Sequence, residues 1–64
     1  MTLKEMREGR GWTQVQLAER VGASRRAVQL WEEGEVTPLL VYRIRIADVF
    51  RVPLAEITFS KAIA

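Results

Sequence analysis

Apolar residues recur along most of this 64-residue chain at spacings of three and four, the interval that lines up side chains on one face of an α-helix. The first segment runs from about Thr2 to about Arg10. Leu3 and Met6 form its stripe, Thr2 with Glu5 three residues on has the form of a capping box, and the glycines at 9 and 11 stop it. A second helix is predicted from Gln14 to about Val21, with Thr13 as N-cap and Gln16 as reciprocal partner. Ser24 caps a third, Arg25 to about Glu33, and Gly34 stands where a left-handed C-cap ends it. Thr37-Pro38 has the form of an N-cap and first-turn proline for a fourth helix, whose apolar stripe is 40, 44, 47 and 50 and whose end Pro53 marks. A short fifth helix or turn begins near Leu54, and the triplet 57–59 fits a brief extended segment equally well. These elements predict an all-α fold: a compact bundle of about five short helices in a single domain over residues 1–64, without repeats or linkers.

The second and third predicted helices are joined by only a few residues, and their small residues fall where a close crossing needs them. Ala18 puts a minimal side chain at the crossing, Gly22 supplies a turn residue that tolerates positive φ, and Val28 fills the wedge between the helices. Leu17, Val21 and Trp31 add the remaining apolar contacts. Six positions thus agree with one helix-turn-helix geometry over residues 14–33. Once Ser24, Val28, Trp31 and Glu32 are turned inward, the outer arc of the third helix holds Arg25, Arg26, Gln29, Leu30 and Glu33.

The run from Gln14 to Trp31 resembles the phage Cro and lambda-repressor-like helix-turn-helix family of small DNA-binding regulators. The resemblance extends to residues 3–8 with Gly11-Trp12-Thr13-Gln14, to Trp31-Glu32-Glu33-Gly34, and to Pro38, Leu40, Ile44, Ile46-Ala47, Phe50, Val52, Leu54 and Glu56-Ile57. It implies a transcriptional regulator of double-stranded DNA, a repressor, that lays the third helix in the major groove. Arg25 and Arg26 are then the foremost base readers, since arginine can donate two parallel hydrogen bonds to guanine, with Gln29 and Leu30 beside them. The start of the second helix, with its unpaired N–H groups and positive dipole end, suits a phosphate. The resemblance places a DNA-contacting glutamine at Gln14 there, and Thr13 and Arg10 are further phosphate candidates. It also implies an ion pair between Arg7, which falls on the apolar side of the first helix, and Glu32. Four features depart from the family pattern: an acidic and apolar loop at 35–37 in place of a basic one, Leu30 on the outer arc, Arg43 at an aliphatic position, and Arg51 where glycine commonly ends the fourth helix.

Composition narrows the alternatives. With no cysteine and no histidine, disulfides, thiol nucleophiles, the usual zinc sites and histidine acid-base pairs are all missing, so we expect no catalytic residue, metal or cofactor, no small-molecule ligand, and no enzyme. No apolar run approaches a bilayer span, and no leader is evident, which predicts a cytoplasmic, nucleoid-associated protein with no membrane partner and no effector domain. The net charge is only +2, so the placement of the cations matters more than their number. Val36, Leu39, Val41 and Tyr42 are apolar beyond what the fourth stripe needs, and Phe59 and Ile63 lie opposite Leu54 and Ile57. They belong either to extra core or to a twofold homodimer through residues 54–64, which would set two recognition helices about 34 Å apart on a near-palindromic operator. The same surplus would suit a protein-interaction module, an antitoxin or adaptor, on the same fold.

Overall fold

Four helices, α1 (Leu3–Gly9), α2 (Gln14–Val21), α3 (Arg25–Glu33) and α4 (Leu40–Phe50), are followed by a single 3-10 turn at Leu54–Glu56 in the computed structural model, which describes residues 1–59. The first three begin on side-chain caps. The Thr2 hydroxyl accepts from the Glu5 N–H at 3.2 Å while the Glu5 carboxylate accepts from the Thr2 N–H at 2.9 Å. Thr13 and Gln16 repeat this reciprocal pair at 3.1 and 2.8 Å, and the Ser24 hydroxyl accepts from the Ala27 N–H at 3.0 Å. Each satisfies backbone donors that the first helical turn leaves unpaired.

The core is one cluster to which every helix contributes: Leu3 and Met6 from α1, Leu17, Ala18 and Val21 from α2, Val28 and Trp31 from α3, and Ile46, Ala47 and Phe50 from α4, closed by Ile57. Leu17, Val28 and Ile46 have no exposed surface at all. Ala18 and Gly22 sit where the tight α2–α3 corner requires them. Gly22 adopts φ +74, and the Ala23 N–H reaches back to the Ala18 carbonyl at 2.9 Å, a six-residue closure of the helix end. The same closure ends α3 at Gly34 (φ +78), where the Glu35 N–H meets the Leu30 carbonyl at 3.0 Å.

α4 departs from expectation at its start and in its register. It begins at Leu40 behind Leu39, which is extended and makes no side-chain cap bond. Thr37 and the fully buried Pro38 lie in the preceding loop. The inward face is Ile46, Ala47 and Phe50, whereas Leu40 and Ile44, expected on the buried stripe, are each 54% exposed. The helix packs inward on α2 and on the 3-10 turn, so its register follows those neighbours. Arg43, at its aliphatic position, stays half-buried by folding back to donate from Nε to the Pro38 carbonyl at 3.1 Å. α4 ends with the same six-residue closure, Val52 N–H to Ala47 carbonyl at 3.1 Å, but the left-handed residue is Arg51 at φ 57 instead of a glycine.

Both readings of the C-terminal stretch hold in part. The 3-10 turn is followed by an isolated parallel bridge between Thr58 and Thr2, with the Thr58 N–H donating to the Met1 carbonyl at 2.8 Å. Ile57 is buried, and Leu54 and Phe59 pack against the core, so the described part of the expected dimerisation segment is used internally. Ile63 lies outside the described residues. Among the described residues, no helix is long and apolar enough to cross a membrane.

Candidate nucleic-acid interface

The expected ion pair is present, and it organises the whole approach to α2 and α3. Arg7 Nε donates to Glu32 Oε2 at 2.7 Å, Nη2 donates to Oε1 at 3.1 Å, and Nη1 donates to the Trp12 carbonyl at 2.7 Å. One planar guanidinium therefore ties α1 to α3 and to the α1–α2 connection at once, a geometry that lysine cannot reproduce. The two side chains are 11% and 4% exposed, so the pair is largely removed from water. The hydrogen bonds that Arg7 donates to Glu32 hold its guanidinium above its ordinary pKa, against the opposing effect of burial.

Gln14 joins this network. Its Nε2 donates to Glu32 Oε1 at 3.1 Å, so the side chain at the first position of α2 is held by a residue of α3. Its alignment with Glu32 comes from the crossing of two helices, and nothing in the local sequence signals it. Thr13, a phosphate candidate through its N–H, has that donor already engaged by Gln16. The first turn of α2 accordingly offers the N–H groups of Gln14 and Val15 to an outside acceptor.

Arg10, a phosphate candidate, is exposed at the end of α1 and turns toward α4. Its Nη2 donates to the Phe50 carbonyl at 2.9 Å, and the guanidinium lies 5.3 Å from the Phe50 ring and 5.5 Å from the Trp12 ring. Arg20 covers Trp12 at 4.3 Å. This stack of cations and aromatic rings supplies the end of α4 with positive charge, where a helix dipole favours it. Trp12 also occupies the position before the N-cap with Leu17 four places into α2, the spacing of a hydrophobic staple. That spacing was the available sequence signal for its structural role.

The outer arc of α3 emerges much as its periodicity predicts. Arg25 and Arg26 are exposed at the first two positions of the helix, and neither makes a hydrogen bond or ion pair among the described residues. Gln29 is half-buried and donates to Glu33 Oε2 at 3.2 Å, and Leu30 is half-buried beside it. Neither α2 nor α3 carries an acidic residue in its first turn, although α1 carries Glu5 there. Two cations at the positive end of a helix dipole are unfavourable for the isolated helix, by about 0.3 to 1 kcal/mol each. An anion placed against that end would reverse the sign.

The profile of the helix-turn-helix family matches residues 3–57, from the first residue of α1 to the last residue of the core. A protein of Pyrococcus furiosus that carries the name of an HTH-type transcriptional regulatory protein is 39% identical over 54 residues, which cover 84% of this chain and 17% of that protein. The chain thus spans about a sixth of the length of this relative. No solved structure matches it.

Proposed function

Because the chain belongs to the helix-turn-helix family, in its Cro and lambda-repressor-like form, we propose that it is a sequence-specific double-stranded DNA-binding transcriptional regulator, a repressor that occupies its operator with α3 in the major groove. The observation that carries this reading is the pair of exposed, unpartnered arginines at the N-terminus of α3, where the helix dipole disfavours them and an anionic duplex would favour them. Arg25 and Arg26 read base edges, Gln29 and Leu30 contribute beside them, and the start of α2 receives a phosphate through the Gln14 and Val15 N–H groups and the Gln14 amide. Arg10 acts through the fold. The ion pair of Arg7 and Glu32, braced by Gln14, fixes α2 and α3 relative to one another and hence fixes the phosphate contact relative to the base contacts. A homodimer on a near-palindromic operator supplies two such units on successive turns of the duplex.

The second reading, a protein-interaction module of antitoxin or adaptor type, is favoured by the exposed apolar residues at the start of α4. Arg26→Ala separates the two. Sites are first selected from a random duplex library, and binding to the enriched site is then compared with binding to a scrambled duplex. We expect the variant to lose about 1 to 3 kcal/mol on the selected site and much less on the scrambled one. An unchanged affinity, or failure of any site to enrich, would remove the base-reading role and favour the adaptor.

A further inference from the structure

The outer stripe of α3 carries its charges the wrong way round for the helix itself. Arg25 and Arg26 open it at the positive end of the dipole, and Glu33 closes it at the negative end, with no basic residue in the last turn. The neighbouring Glu32 is held by Arg7 and Gln14. Glu33 is exposed and makes no ion pair among the described residues, where its carboxylate accepts from a single donor, Gln29 Nε2, at 3.2 Å. Arg25, Gln29 and Glu33 follow one another at intervals of four, so the three side chains stand in a row along one face, each about 6 Å further along the axis.

The contact fixes which way the Gln29 amide lies. An ionised carboxylate only accepts hydrogen bonds, so the group that faces it is the NH2, and Oε1 is on the other side of the amide. Oε1 accepts no hydrogen bond among the described residues, and no buried side-chain oxygen or nitrogen there lacks a partner, so Oε1 reaches solvent. An amide free to turn over can read two classes of base. Oxygen first, it accepts from the exocyclic amino group of adenine or cytosine; nitrogen first, it donates to guanine O6 or N7 or to thymine O4. Beside Glu33 only the first orientation is satisfied. Turning over would set Oε1 against the carboxylate, acceptor to acceptor, and would leave Glu33 without a donor in a groove bordered by phosphates. The second N–H of the held amide stays available for adenine N7, whereas guanine in the same place would bring its O6 against Oε1.

We propose that Glu33 is a positioning residue for base recognition: by holding the Gln29 amide, it makes Gln29 select a base with an exocyclic amino group, adenine or cytosine, and reject guanine and thymine. The inference rests on the reading of α3 as the recognition helix and names what that helix recognises at one position. The stripe then divides its task by chemistry. Arg25 and Arg26 carry donors only and take guanine, while Gln29 presents an acceptor and takes the opposite class. An acid on this face weakens the attraction to phosphates, and selectivity is what it contributes.

Sites selected from a random duplex library by the parent chain and by Gln29→Ala identify the position that Gln29 reads, as the one at which the variant loses its base preference. There the parent is expected to favour adenine or cytosine over guanine by at least about fivefold, the discrimination of one good contact. Glu33→Ala should bring guanine close to parity at that position. It should leave the positions read by Arg25 and Arg26, and the thermal melt, nearly unchanged, since Glu33 is exposed. Glu35→Ala removes an equally exposed acid that has no bond to Gln29, and it should leave the preference intact, which separates the hydrogen bond from a general effect of charge. Guanine favoured by the parent, a preference untouched by Glu33→Ala or lost equally in Glu35→Ala, or no position altered by Gln29→Ala would overturn the proposal while leaving Arg25 and Arg26 as base readers. A library from which no site enriches would overturn it together with the regulator reading.

Discussion

The α2–α3 corner and α4 are helical segments of similar size in one small core, yet they are held in different ways. At the corner, each helix begins on a hydroxyl cap and ends on a left-handed glycine, and its inward residues are the ones its own periodicity selects. α4 begins without a side-chain cap, ends on a left-handed arginine, and leaves Leu40, Val41 and Ile44 outside. Local signals and tertiary demand coincide at the corner, whereas in α4 tertiary demand prevails over weak local signals. Stability contributions should therefore be predictable from sequence position at the corner and only from burial in α4.

The largest effect expected is at the ion pair that locks the corner to α1. Arg7→Met would leave the Glu32 carboxylate stranded at 4% exposure, and removing one member of such a pair costs about 3 to 5 kcal/mol. Chemical denaturation followed by circular dichroism measures it. A loss below 1 kcal/mol would mean that solvent reaches Glu32 and that the corner is held by apolar packing alone.

A sharper contrast lies within α4, between isoleucines two residues apart. Ile46→Ala should cost about 2 to 5 kcal/mol, because the side chain has no exposed surface, while Ile44→Ala, at 54% exposure, should stay within about 0.5 kcal/mol in the monomer. Equal losses would restore the register that the 40, 44, 47, 50 spacing predicts.

Exchanging the helix ends tests the same difference at smaller scale. Gly22→Ala forces an L side chain into φ +74 with its Cβ 3.2 Å from Arg45 Nη1, and should cost about 1 to 2 kcal/mol. Arg51→Gly removes similar strain at φ 57 but adds backbone entropy to the unfolded chain, so a net gain of about 0.5 to 1 kcal/mol is expected. Thermal melts of both variants decide the matter. A destabilised Arg51→Gly would show that the arginine side chain contributes more than its backbone conformation loses.

The smallest effect concerns pH. The Thr2 backbone N–H, followed by its side chain, holds the Glu5 carboxyl below its ordinary value of 4.5. A carboxyl whose folded pKa lies below the unfolded one adds stability above the unfolded value and loses it as pH falls through the folded one. The difference in melting temperature between the parent chain and Glu5→Ala should thus be present at neutral pH and shrink below about pH 4. A difference independent of pH would assign the effect to helix propensity.

The sequence by itself determined the elements whose signals are local. Thr2 with Glu5, Thr13 with Gln16, and Ser24 each sit within three residues of the donors they satisfy, and Gly22 and Gly34 are needed by the backbone itself, so α2 and α3 were legible to the residue, and α1 to within one residue of its C-terminal end, where the helix runs through Gly9. Arg25 and Arg26 were equally legible as an outward pair, because the rotation of α3 follows from a stripe as clear as Val28 and Trp31. Only the tertiary structure decided the rest. α4 started at Leu40, beyond the buried Pro38, and contacts with α2 and the 3-10 turn chose Ile46 over Ile44 as the inward isoleucine. Gln14 met Glu32 across 18 residues of chain, and Arg10 met the Phe50 carbonyl across 40. Periodicity assigns a residue to a face of its own helix, but which neighbour that face meets depends on how the helices pack.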